Sequence, residues 1–143
     1  MPAITIRPRR AGRVPAIMIL TEADFANLSL LRGHPRLQRI LEQAEIVSSD
    51  SVPPELVTMH SQIVLVDEAG GERRIVSVVY PAEAEPDAGR ISVLDTLGLA
   101  LLGASPGQAI ECESPAGSRY LRIEKILYQP EHSLRTFMVV RER

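Results

Sequence analysis

The chain has one cysteine, no tryptophan and a single lysine among 143 residues. With Cys112 alone no internal disulfide can form, which fits a reducing cytoplasm, and no cysteine pair is available to build a zinc site. Aromatic residues are scarce at 3%: Phe25, Tyr80, Tyr120, Tyr128 and Phe137. A groove for single-stranded nucleic acid needs several stacking rings on one face, and a prolyl-recognition pocket needs an aromatic lining, so this supply disfavours both. The longest apolar runs, such as "AIMIL" at 16–20, fall far short of a bilayer span, and no segment has the layout of a secretory signal. No membrane partner is expected. Neither sign of charge dominates, the net value being −2. Bulk electrostatics therefore point to neither a nucleic-acid binder nor an enzyme for acidic substrates.

What is present is ordinary globular usage, 45% hydrophobic and 24% charged, in a length that fits one domain plus a small appendage. Residues 1–16, with three prolines and four arginines, read as a flexible Arg-rich leader; the alternative is a basic arm that touches phosphate. "AIMIL" follows as a short strand or extended lead-in. Thr21 carries helix-start signals: its hydroxyl can accept from the Asp24 amide, Asp24 can reach back, and Leu20 with Phe25 makes a hydrophobic staple. Phe25, Leu28 and Leu31 continue one apolar face. "RGHP" at 32–35 ends that helix, and Pro35 suits the first turn of the next, where Leu37, Ile40, Leu41 and Ala44 share a stripe. Residues 17–47 are thus expected to form a short antiparallel helical hairpin, each helix of about 11 residues and roughly 17 Å. The Ser-, Asp- and Pro-rich link at 47–55 marks a boundary.

The remainder, 52–130, reads as a small antiparallel sheet with one helix, giving an α+β class overall. "VTMHSQIVLVDE" (57–68) and "ERRIVSVVY" (72–80) form a hairpin around "AGG". "RISV" is a short strand leading to a helix over 96–103, capped by Asp95 or its neighbour and closed by Gly103. "QAIECES" (108–114) and "SRYLRIEKILY" (118–128) form a second hairpin around "PAG". In the tail, 131–143, "RTFMVV" reads either as an added edge strand or as frayed chain.

The search for chemistry is mostly negative. His34, His60 and His132 fall in a predicted helix turn, a strand and the tail, without metal-ligand spacing. Ser61 beside His60 is no nucleophile motif, because adjacent strand residues point to opposite faces. Cys112 shares a strand face with Ile110 and reads as a core thiol, while Glu111 and Glu113 read as facing water. "GASPG" lacks the lysine of a phosphate-cradling loop. No acid, base and nucleophile assemble, so neither a catalytic site, a metal nor a cofactor is expected.

One pattern is specific. "PPELVTMHS" (53–61), "VYP" (79–81), "ISVL" (91–94), "LGLALLG" (97–103), "PG" (106–107) and "YQPE" (128–131) stand in an order and spacing that resembles the Gre-factor C-terminal domain. The resemblance is closer to the regulator of nucleoside diphosphate kinase (Rnk) branch and covers about residues 17–132. It implies an FKBP-like domain behind the helical hairpin, docked on bacterial RNA polymerase at the rim of the secondary channel. In Gre factors, carboxylates at the tip of a long hairpin help the polymerase hold a second Mg²⁺ for transcript cleavage. Here the expected tip is Arg32, Gly33, His34, Pro35 and Arg36, with the nearest acids, Asp24 and Glu42, set back along short helices. Guanidinium groups repel Mg²⁺, so cleavage stimulation is not expected. The resemblance also places the joint after "ISV" on the polymerase side, commonly with an X-Pro pair; this chain has Asp95-Thr96. Ser92, Leu94, Asp95 and Thr96 are the expected polymerase contacts. The expected function is a non-catalytic, cytoplasmic regulator that competes with Gre-type factors and reads no nucleic-acid sequence directly. The alternative is a regulator of nucleoside diphosphate kinase level or activity. Prolyl isomerisation would follow from fold kinship alone, which does not fix function.

Overall fold

Thr21 ends one element and starts the next. It closes a three-residue strand, β2 (Ile19–Thr21), and its Oγ1 accepts from the Asp24 amide at 3.1 Å to open helix α1 (Glu22–Ser29). The structure, a computed structural model, describes residues 5–9, 18–114 and 117–132. Gly33, at φ +80°, reverses the chain, and Pro35 occupies the first turn of α2 (Pro35–Glu42). Both helices are eight residues long, near 12 Å, shorter than the apolar periodicity suggests. The Leu30–His34 turn takes the end of one. The other stops because Ala44 leads straight into β3 (Glu45–Val47), which pairs parallel with β2. The Asp24 carboxylate also accepts from the Tyr80 hydroxyl, at 3.0 Å.

The main sheet has the order β1-β7-β8-β4-β5-β6. Its central hairpin is β4 (Gln62–Asp67) with β5 (Arg73–Val79), and its second is β7 (Ala109–Ser114) with β8 (Gly117–Tyr128), joined by antiparallel β4–β8 pairing. Three sequence expectations change here. First, part of the leader is ordered: Thr5–Arg9 form β1, antiparallel to β7 with Thr5 opposite Glu113 and Arg9 opposite Ala109. The far side of β7 offers unpaired backbone groups, and Pro8, lacking an N–H, is tolerated on an edge strand. The rest of the leader and the tail from 133 lie outside the described residues. Second, β4 begins at Gln62 rather than Val57, because His60 sits at φ +68° and turns the chain. Third, β6 (Arg90–Ser92) pairs parallel with β5, Ser77 opposite Arg90 and Val79 opposite Ser92. Tight helical turns at Pro81–Glu83 and Pro86–Ala88 carry the chain back to the start of β5's far half, so β6 runs in the same direction.

Helix α3 (Thr96–Leu101) follows β6, and Gly103 at φ +82° terminates it. One core runs through all of this. Ile63, Val76, Val78, Ile110 and Ile123 from the sheet, Leu101 from α3, and Leu20, Leu28 and Leu37 from the N-terminal unit are all buried in a single cluster.

Candidate interaction site at the strand–helix joint

The joint between β6 and α3 is tightly wired. The Val93 amide donates to the Val79 carbonyl at 2.8 Å, the Leu94 amide to Ser92 Oγ at 3.1 Å, and the Asp95 amide to the Ser92 carbonyl at 3.0 Å. Ser92 is only 8% exposed, so this expected contact residue serves as scaffold. The surface of the joint is Leu94 and Thr96, both half-buried, and Asp95, which is exposed. Asp95 caps α3 through its backbone carbonyl, which accepts from the Leu99 amide at 2.9 Å, while its carboxylate makes no cap hydrogen bond. That carboxylate stays available to a partner.

The second expected site is the turn between α1 and α2. Arg32 and Arg36 are exposed, His34 is half-buried, and Leu30 is 73% exposed beside them. His34 caps α2 without a side-chain hydrogen bond, its carbonyl accepting from the Gln38 amide at 3.0 Å. Among the described residues no carboxylate joins these groups: Glu42 lies at the opposite end of α2, and Asp24 accepts from Tyr80. Among the described residues, no group of three or more His, Cys, Asp or Glu side chains is placed to hold a metal ion.

A polar cluster that the sequence reading missed lies at the end of β5. His60 Nε2 meets Glu83 Oε1 at 2.7 Å, the Tyr80 amide donates to the same carboxylate at 3.3 Å, and the His60 and Tyr80 rings stand 5.5 Å apart. A cavity of about 250 Å³ opens beside it, lined by His60, Ser77, Val79, Glu83 and Arg90. Ser61 is fully buried, its Oγ accepting from the Thr58 amide at 2.9 Å, and Thr58 Oγ1 donates to Glu131 at 2.7 Å. Ser61 precedes β4 in a turn, not in the strand that the sequence suggested, and its hydroxyl holds that turn together. Glu111 is half-buried with the Tyr120 hydroxyl 3.4 Å away, and His132 is exposed; the side chains of Cys112 and Glu113 lie outside the described parts. The signal available for the cluster was the "VYP" tripeptide, in which Tyr80 caps the tight turn Pro81–Glu83.

The two acids at this place titrate in opposite senses. The hydrogen bond from His60 holds the Glu83 carboxyl below its usual range, whereas burial pushes Asp24 up. A depressed acid contributes stability above its unfolded value, about pH 4.3 for Glu, and loses it as pH falls through the folded value. Glu83→Gln is accordingly expected to lower stability near neutrality by under about 1 kcal/mol, the pair being partly exposed. The gap from wild type should close below about pH 4 in urea titrations; a gap independent of pH would dismiss the charge of Glu83 as its source. Asp24 has the reverse sign: its contribution is greatest when protonated and fades as pH rises through its folded value.

The model of the family "Transcription elongation factor, GreA/GreB, C-term" matches residues 52–128, which include the joint, the His60 turn and all of β4 to β8. The chain belongs to the GreA/GreB family. It is similar to "Regulator of nucleoside diphosphate kinase" of Escherichia coli (strain K12), 31% identical over 131 residues, covering 91% of this chain and 93% of that one. It is similar to "Transcription elongation factor GreA" of Azorhizobium caulinodans, 30% identical over 90 residues, covering 63% of this chain but 57% of the relative. Among solved structures it resembles "Prokaryotic transcription elongation factor GreA/GreB from Nitrosomonas europaea", with TM-score 0.70 and 29% identity, covering 78% of this chain and 98% of that one. The α+β architecture is thus that of a GreA/GreB protein. Within the GreA/GreB match the joint is included, whereas α1 and α2 precede it. Among the described residues no helix is long and apolar enough to cross a membrane.

Proposed function

We propose that the chain is a non-catalytic regulator of bacterial transcription that binds RNA polymerase at the rim of the secondary channel and competes there with Gre-type factors. On this reading residues 52–130 are an FKBP-like docking domain, with Leu94, Asp95 and Thr96 as its contact, and residues 17–47 are a short hairpin arm whose tip carries Arg32, His34 and Arg36. The observation that carries the reading is the tip: two exposed guanidinium groups, with Asp24 tied to Tyr80 and Glu42 at the far end of its helix. Mg²⁺ takes oxygen ligands, and a guanidinium offers donors only. Such an arm fills space without delivering a ligand for a catalytic cation. It acts in the cytoplasm, where the polymerase is.

The test has two limbs. In pull-downs with core polymerase, Leu94→Arg and Asp95→Arg are each expected to weaken retention at least about tenfold, the size of a modest interface hot spot. In stalled elongation complexes the wild-type protein is expected to leave RNA hydrolysis at background and to reduce the rate that a Gre factor produces. Retention indifferent to both substitutions refutes the contact, and acceleration of hydrolysis refutes the non-catalytic role.

A second reading rests on the name of the Escherichia coli relative, whose match spans nearly the whole of both chains. On that reading the protein acts on nucleoside diphosphate kinase level or activity through protein–protein contact. Kinase assays with and without purified protein separate the two: a change in turnover supports the second, and none leaves the polymerase reading.

A further inference from the structure

The N-terminal unit touches the sheet through two kinds of contact. Leu20, Leu28 and Leu37 enter the common core, and such apolar contacts hold a helix down without fixing its direction. The directional contact is Tyr80. Its hydroxyl donates to Asp24 Oδ1 at 3.0 Å across 56 positions of sequence. A single atom from the end of β5 therefore engages the first turn of the helix.

Tyr80 is in turn gripped from the sheet side. Its amide donates to Glu83, Glu83 meets His60, and the His60 ring packs against the tyrosine ring at 5.5 Å. His60 holds this place in a left-handed backbone at φ +68°, its amide donating to the Val78 carbonyl at 2.7 Å. A non-glycine residue in that region is uncommon and persists where surrounding contacts enforce it. The residue before Tyr80, Val79, accepts from the Val93 amide at 2.8 Å, which is where the docking joint begins. One short stretch of β5 thus connects the arm to Leu94–Thr96.

We propose that Tyr80 is a positioning residue that sets the angle of the helical arm against the 92–96 joint through its hydrogen bond to Asp24. The proposal rests on the reading that the joint docks and the arm projects, but its primary test does not require polymerase. In a Cys112→Ser background, spin labels at Arg36→Cys and Glu72→Cys report the distance from arm to sheet in the free protein. Tyr80→Phe, which keeps the ring, and Asp24→Ala are each expected to broaden that distance distribution, and the double variant to broaden it no further. Asp24→Asn, which still offers an oxygen acceptor, should retain the narrow distribution. Potency against a Gre factor in cleavage assays should fall about tenfold in Tyr80→Phe, the loss expected for a hydrogen bond to a charged acceptor, while pull-down through the joint persists. An unchanged distribution in Tyr80→Phe overturns the proposal. So does broadening in Asp24→Ala alone, which assigns Asp24 a purely local role in α1. If the distances respond as stated but polymerase is never bound, the positioning role stands and the docking reading fails.

Discussion

Gly98→Ala is expected to destabilise the protein by about 1–3 kcal/mol, the range for forcing atoms into a packed interior, and to lower Tm by roughly 4–12 °C for a chain of this size. Alanine would ordinarily improve a helix, by about 1 kcal/mol over glycine. The surroundings reverse the sign. A Cβ at Gly98 would stand 2.1 Å from the Ser92 carbonyl oxygen, 2.9 Å from its carbon and 3.1 Å from Val93 Cα, all backbone atoms that have no rotamer to escape into. The absent side chain lets α3 lie directly on the end of β6, and the same Ser92 carbonyl accepts the Asp95 amide that shapes the joint. Calorimetry measures the loss. Gly70→Ala is the control, since nothing stands within 4 Å of its Cβ position and the change there should be near neutral. If the joint docks as proposed, Gly98→Ala should also weaken retention by polymerase at temperatures where the protein remains folded. A Tm equal to wild type would mean that α3 is not seated on β6.

The local elements were largely legible, and what determined legibility was range. The Thr21 cap, the two long hairpins, the "RISV" strand and the helix after Asp95 all follow from turn residues and short-period patterns, which act over a few positions. Three-residue strands carry no usable period, so the parallel pairing of β2 with β3 and of β5 with β6 left no trace in the sequence. The pairing of β1 is a property of the free edge of β7, and the prolines near Thr5–Arg9 argued locally for a leader. His60 was misplaced because its strand-like neighbours hide a turn that depends on Ser61, Thr58 and Val78. Of the expected contacts, Leu94, Asp95 and Thr96 are at the surface as their position after a strand suggested, whereas Ser92 is not. A serine at the last position of a strand has the same pattern whether its hydroxyl meets solvent or the Leu94 amide. Tyr80 and Asp24, 56 positions apart, have no sequence relation that periodicity can detect.

Leu37→Ala and Leu28→Ala are each expected to cost about 2–5 kcal/mol, the range for truncating a buried leucine that leaves a cavity, and to shift the whole unfolding transition. Both side chains have 0% exposure and belong to the cluster that holds Ile63, Val76 and Ile123. Helices of eight residues are not stable by themselves in water, so α1 and α2 owe their existence to this packing. The same buried cluster holds Met59, Val57 and, from β5, Val76 and Val78, so the sheet shares the core that these leucines fill. Loss of either leucine should therefore weaken helix and sheet together. In a Tyr80→Phe background, which removes the tyrosine that touches α1, far-UV circular dichroism, to which helices contribute most per residue, and tyrosine fluorescence, which has no tryptophan to mask it and then reads the sheet through Tyr120 and Tyr128, should give one coincident urea transition moved to lower denaturant. An arm that folded apart from the sheet would behave differently: the helical signal would melt early in Leu37→Ala while the tyrosine midpoint stayed in place. The distinction bears on the proposed docking, because an arm that shares its core with the sheet would arrive at a partner already formed, its direction set in the free protein rather than found on binding.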